Sequence, residues 1–186
     1  LIIDEPELHL HPKLQTKLFE HLKDACGEIQ VIASTHSPLL FKNLYQEKDV
    51  QLLITKLESG KLDVQDARAS GFGILKWSPS WGEICFFAYG LPTIEFHDDL
   101  YSSIEDLLKI SSSQKVSQDD IENWFISKGQ TKKIKWPDSV NGPREETLMT
   151  YVRNRIHHPD NIERPAHVPE QLRDSIELMV GFLRNP

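Results

Sequence analysis

The stretch Leu1-Ile2-Ile3-Asp4-Glu5-Pro6-Glu7-Leu8-His9-Leu10-His11-Pro12 constrains the fold more than any other in the chain. Three aliphatic residues run into two adjacent carboxylates, and the proline that follows cannot donate to a sheet ladder, so a buried strand is expected to end at Asp4. Acids at the carboxyl end of a parallel strand lie on the edge where open α/β sheets bind ligands. There one carboxylate can hold Mg²⁺ while its neighbour orients a nucleophilic water. The segment Gly27-Glu28-Ile29-Gln30-Val31-Ile32-Ala33-Ser34-Thr35-His36-Ser37-Pro38 repeats the design, an apolar strand ending in hydroxyls and an imidazole. Between the two, Pro12 stands where a helix opens, and Leu14, Leu18, Leu22 and Ala25 follow at helical spacing until Gly27. Residues 1–35 therefore read as a βαβ crossover that brings both polar clusters to one edge.

Leu1-Ile2-Ile3-Asp4-Glu5-Pro6-Glu7, Leu10-His11-Pro12 and Ser34-Thr35-His36-Ser37, in that order, resemble the Walker B, D-loop and switch-histidine segments of ABC-type ATPases of the RecF, SMC and OLD kind. The resemblance implies ATP and Mg²⁺ as cofactors. Asp4 would hold the metal of bound nucleotide, Glu5 would polarise the attacking water, and His36 would contact the γ-phosphate. The competing reading is a buried strand capped by acids, with a core histidine. No Gly-x-x-x-x-Gly-Lys-[Ser/Thr] is present, so no phosphate-cradling loop accompanies these residues. The expectation is the C-terminal part of a longer ATPase, unable to hydrolyse ATP by itself.

The balance of charges sets limits on partners. A net charge of -7 and a pI near 5.6 exclude a uniformly basic nucleic-acid-binding surface, though not a focused patch. Five of the seven arginines lie between Arg153 and Arg184, among enough acids to leave that tail near neutrality. Two cysteines, Cys26 and Cys85, offer neither metal spacing nor a disulfide framework, and a reducing cytoplasm is the expected location. No apolar run approaches the roughly 20 residues of a membrane-spanning helix, so no membrane partner is expected.

Further along, Pro38 opens a short helix through Leu44 with Ser37 as its cap. Residues 49–57 and 61–66, flanking Glu58-Ser59-Gly60, read as a hairpin. Residues 67–79 mix glycine, small residues and proline, and form the expected linker between an α/β ATPase lobe, residues 1–66, and an all-α bundle, residues 80–186. In the bundle, Ser80-Trp81-Gly82-Glu83 fits a capping box and Gly90 a stop. A second helix over 94–110 is followed by a loop at Ser111-Ser112-Ser113. Ser117 caps a third helix running to Gly129, and residues 131–142 form a loop. The last two helices span 144–157 and 169–183, giving five helices without a strand.

The fourth of these carries a second constellation, Arg153-Asn154-Arg155-Ile156-His157-His158. Leu148, Val152 and Ile156 step by four along the expected buried face, with Met149 at its flank, while Arg153 and His157 share a neighbouring face. Guanidinium beside imidazole suits a phosphodiester: arginine grips the phosphate and stabilises its developing charge, and histidine moves the proton. The segment resembles the Arg-[polar]-x-x-x-His signature of HEPN ribonucleases. That resemblance implies Arg153 and His158 as a catalytic pair, Asn154 as the polar residue, and a metal-independent site built between two protomers that cuts RNA, tRNA included. HEPN-type bundles behind ABC-type ATPases occur in bacterial anticodon nucleases and other anti-phage defence proteins. Bland readings stand beside this one: basic residues complementing a helix dipole, His157 packing on the last helix, or an inactive HEPN-like dimerisation module.

Two further groups have simple alternatives. Glu95, His97, Asp98 and Asp99 have metal-ligand chemistry, but acids in a first helical turn suit the dipole. Lys132, Lys133 and Lys135 with Trp136 can touch RNA backbone and stack a base, or form a solvated loop. The leading reading is an ATP-driven defence effector that is a homodimer or higher oligomer through its ATPase heads, with a ribonuclease bundle. The alternative is an ATP-gated scaffold that recruits a separate effector nuclease. A DNA-nicking ATPase of the OLD kind is disfavoured because helices, not an acidic Toprim-like pattern, follow the ATPase segment.

Overall fold

The computed structural model describes residues 1–27, 29–69, 71–112, 115–137, 140 and 142–185. Glu28, Ser70 and Ser113, expected in the approach to a strand, in the linker and in a loop, lie outside the described residues, as do positions 138, 139 and 141 of the expected 131–142 loop. The chain divides into two compact units, Leu1–Phe72 and Gly73–Pro186.

The first unit orders β1 (Ile2–Ile3), α1 (Pro12–Ala25), β2 (Ile32–Ala33), α2 (Pro38–Tyr45), β3 (Leu53–Glu58) and β4 (Lys61–Asp66). β1 and β2 pair in parallel, Ile2 opposite Ile32 and Ile3 opposite Ala33, with α1 as the crossover. Among the described residues the parallel sheet has these two strands. The strands expected to be buried are not: Ile2 is 82% and Ile32 55% exposed. Their faces are apolar, but α1 supplies no fully buried residue to cover them.

β3 and β4 form the expected antiparallel hairpin, turning at Ser59 and Gly60, both with positive φ. Residues 49–52 precede its first strand and do not belong to it. Packing centres on α2, where Leu40, Phe41 and Leu44 are buried and the Phe72 ring lies 5.6 Å from Phe41 and 5.5 Å from Tyr45. Arg68 donates to the carbonyls of Tyr45 (3.1 Å), Glu47 (2.7 Å) and Val50 (2.8 Å). A cation there meets acceptors at and beyond the α2 C-terminus that have no intrahelical partner, and it fixes the start of the expected linker onto this unit.

The second unit contains α3 (Trp81–Tyr89), α4 (Ile94–Ser112), α5 (Gln118–Ser127), β5 (Ile134–Trp136), β6 (Arg144–Glu146), α6 (Leu148–His157) and α7 (Pro169–Arg184). Ser80 and Glu83 close a reciprocal capping box on α3, which stops at left-handed Gly90; Ser117 and Asp120 do the same for α5. α4 runs through Ser111 and Ser112, where a loop was expected, because serine without glycine or proline does not stop a helix.

The expected strand-free bundle is corrected by the β5–β6 hairpin. Ile134-Lys135-Trp136 alternates with period two, Trp136 inward and Lys135 outward to Glu145 at 2.7 Å. Residues 144–146 are consequently strand, and α6 begins at Leu148. Its buried face also differs: Met149 is fully buried with Val152, whereas Leu148 and Ile156 are half-buried. The core joins Phe96, Leu100 and Ile104 of α4 to Phe125, Met149, Val152, Ile176 and Met179.

Candidate functional site

In the first unit the parallel pairing sets Asp4 beside Ser34, one residue beyond each strand. The Ser34 hydroxyl donates to Asp4 Oδ1 and accepts from the Glu5 backbone N–H at 3.1 Å. Glu5 adopts φ of 42°, a left-handed conformation that non-glycine residues rarely take and that recurs at functional sites. That turn brings the Glu5 carboxylate to 3.5 Å from His36 Nε2, whose side chain is 84% exposed. Asp4, Glu5 and His36 thus meet on one edge. The second reading of His36, a core histidine, is overturned by this exposure.

Two residues without an assigned role complete the edge. Glu7 is buried, and its Oε1 accepts from the Thr35 hydroxyl and from the His36 backbone N–H at 3.1 Å. Thr35 Oγ1 in turn accepts from Ser37 N–H at 3.0 Å, and Ser37 Oγ caps α2 through Leu40 N–H at 3.3 Å. The sequence signal for Glu7 was a third acid just past Pro6, but only the parallel register discloses its partner. Carboxylates, a hydroxyl and an accessible imidazole on one edge form a donor set that fits a magnesium nucleotide, since hard oxygens suit Mg²⁺ and an imidazole can donate to a phosphate oxygen.

In the second unit the α6 residues part company. Asn154 is buried and donates from Nδ2 to Glu146 Oε1 at 3.1 Å, a carboxylate that also receives Arg164 (3.1 Å) and Trp136 Nε1 (3.2 Å). Arg153 is half-buried, donates to Asn154 Oδ1 at 3.0 Å and lies 5.8 Å from the Tyr101 ring centre. His158 is the exposed C-cap of α6. Arg155 closes the following turn by donating to the carbonyls of Pro159 (2.8 Å) and Asn161 (3.1 Å).

The polar partner of His157 lies on α4: the imidazole Nε2 meets Asp98 Oδ1 at 3.3 Å. Behind Asp98 stands His97, fully buried, its Nε2 3.0 Å from Ser175 Oγ. Burial pushes the His97 imidazole below its ordinary value, against the opposing pull of Asp98. Burial acts to raise the Asp98 carboxyl, but its contacts with His97 and His157 outweigh that and hold it below the usual carboxylate range. Burial also pushes the Tyr101 hydroxyl up to about 12, against the neighbouring Thr150 hydroxyl and Arg153 charge.

The Glu95-to-Asp99 segment is therefore an element of helix packing. No group of three or more His, Cys, Asp or Glu placed to hold a metal occurs among the described residues. Trp136 is unavailable for base stacking, being buried beneath the Arg164 guanidinium at 4.2 Å. No helix among the described residues is long and apolar enough to cross a membrane.

Residues 1–42 match the family described as "AAA domain, putative AbiEii toxin, Type IV TA system". The "Retron Vc95 probable ATPase" of Vibrio cholerae serotype O1 biovar El Tor is 44% identical over 48 residues, 26% of this chain and 9% of that protein. The "Septu protein PtuA" of Bacillus mycoides (strain KBAB4) is 31% identical over 74 residues, 40% of this chain and 10% of its own length. Its namesake in Bacillus thuringiensis is 47% identical over 38 residues, 20% of this chain and 10% of that protein. The chain thus spans about a tenth of the length of these relatives. No solved structure matches it significantly. Residues 1–42, which carry Asp4, Glu5, Glu7 and His36, are similar to an AAA-type domain, and the chain is similar in part to a probable ATPase of a retron and to Septu proteins.

Proposed function

We propose that the chain is the C-terminal part of an ATP-hydrolysing anti-phage defence protein and carries the carboxylate and histidine half of its nucleotide site. The observation that supports this most is the meeting of Asp4, Glu5 and His36 on the edge of the β1–β2 pair. Asp4 is the residue to hold Mg²⁺, whose charge would offset that developing on the phosphate oxygens. Glu5 accepts a proton from and orients the attacking water, and His36 donates to the terminal phosphate. The phosphate-cradling loop comes from another segment of the protein, and ATP pairs two heads into a homodimer or higher oligomer.

The α6 turn is the candidate effector. Arg153 and His158, with Asn154, are assigned to metal-independent RNA cleavage in a HEPN-like bundle, with tRNA among the substrates. Arg153 would hold the scissile phosphate and His158, exposed at the helix end, would move the proton. A second reading draws on the internal commitments of Arg153 and Asn154: the bundle is an inactive scaffold, and ATP binding gates recruitment of a separate nuclease.

The test uses the full-length protein in cells and purified. Asp4→Asn and His36→Ala are expected to abolish Mg²⁺-dependent ATP turnover and defence together; unchanged turnover contradicts the nucleotide assignment. Arg153→Ala with His158→Ala is expected to abolish toxicity and the RNA fragments with cyclic phosphate ends. Undiminished toxicity that disappears on deletion of a partner gene would select the scaffold instead.

A further inference from the structure

Glu7 has the geometry of a residue that acts through its neighbour. Its Oε1 takes two donors, the Thr35 hydroxyl and the His36 N–H, and Thr35 Oγ1 takes the Ser37 N–H. The peptide groups on both sides of the His36 Cα are therefore tied down, while the imidazole between them is 84% exposed and meets only Glu5, at 3.5 Å, among the described residues. A backbone held at both peptides beneath a free side chain is how a reacting group is aimed without being consumed by packing. Capping of α2 does not account for it, since Ser37 performs that task by itself. Nor does packing stability: Glu7 Oε2 is buried with no hydrogen-bond partner among the described residues, an arrangement that costs about 1–3 kcal/mol and calls for another explanation.

We infer that Glu7 is the positioning residue for His36, coupling the turn after β1 to the polar end of β2 so that the imidazole faces the nucleotide edge. This rests on the nucleotide reading above. Glu7 itself touches no reacting atom; it sets where His36 donates.

Three variants of the full-length protein test this. Glu7→Ala removes the acceptor. Glu7→Gln keeps a carbonyl oxygen that can receive both donors. Thr35→Val removes one donor and the acceptor of the Ser37 N–H. The expected result is a fall in kcat for ATP on the order of 100-fold for Glu7→Ala, as for a misplacement of about 1 Å, with KM within a few-fold. Thr35→Val loses less and Glu7→Gln least. Independently of turnover, hydrogen exchange at the His36 amide accelerates at least tenfold in Glu7→Ala and stays slow in Glu7→Gln. A Glu7→Ala protein with kcat within two-fold of the unaltered protein, or with an unchanged His36 exchange rate, overturns the assignment by itself. An unaltered full-length protein without ATP turnover overturns the nucleotide reading, and the positioning role with it.

Discussion

Removing the Glu146 side chain offers the sharpest test of what holds the second unit together. Its carboxylate is 9% exposed and receives Asn154, Arg164 and Trp136 at 3.1, 3.1 and 3.2 Å; Arg164 is 5% exposed and has a further Nε with no partner among the described residues. Glu146→Leu keeps comparable volume but strands a buried guanidinium, and removing one partner of a buried pair costs about 3–5 kcal/mol. With a urea dependence of roughly 1–3 kcal/mol/M for a small domain, the midpoint should fall by more than about 1 M. All four tryptophans, Trp77, Trp81, Trp124 and Trp136, belong to the second unit, so their emission in urea reports its unfolding. Arg164→Met alone leaves the opposite charge stranded. The double variant should cost less than the sum of the singles by at least about 2 kcal/mol, because neither charge remains unpaired. A Glu146→Leu loss below about 1 kcal/mol, or strict additivity in the cycle, would refute the buried-charge account.

Other outcomes follow from single contacts. At Gly82 an added Cβ would overlap the Phe96 side chain and come within 2.7 Å of its Cα, an overpacking cost of about 1–3 kcal/mol against a helix-propensity gain of about 1 kcal/mol, so Gly82→Ala should lower stability by up to roughly 2 kcal/mol net, read as a lower urea midpoint. His97 is held neutral in the fold, so the unfolded chain takes up its proton first as pH falls. Stability is full above the unfolded value of about 6.5 and declines below it by at most about 1.4 kcal/mol per pH unit, until the folded value is passed. His97→Gln should flatten the urea midpoint between pH 6.5 and 5, and a slope identical to that of the unaltered protein would contradict it. Ser37→Ala removes the α2 cap and should cost about 0.5–2 kcal/mol, measured by hydrogen exchange at the Leu40 and Phe41 amides.

Local signals were legible where a few adjacent residues decide the conformation. Ser80 with Glu83, Ser117, Gly90 and Pro38 each mark a helix end that the structure keeps. The meeting of Asp4, Glu5 and His36 was also legible, because a βαβ unit leaves two polar strand ends one way to lie. What escaped depended on partners distant in sequence. Ile134-Lys135-Trp136 is too short to announce a strand until Arg144–Glu146 pairs with it. Met149, not Leu148, is fully buried, a choice of stripe that depends on the elements packed against α6 and not on spacing within it. Asn154 drew notice as a polar residue beside an arginine, yet its bond to Glu146 spans the β6–α6 turn and was invisible in the motif. Glu7 escaped for the same reason, its partners Thr35 and His36 lying across the crossover.

The most direct test of the central claim is ATP turnover by the full-length protein carrying Glu5→Gln. The amide keeps the shape beside His36 but cannot take a proton from water. Nucleotide binding should survive at near-normal affinity while kcat falls by on the order of 100-fold or more. A Glu5→Gln protein that turns over ATP at the unaltered rate would contradict the assignment of this edge to ATP hydrolysis.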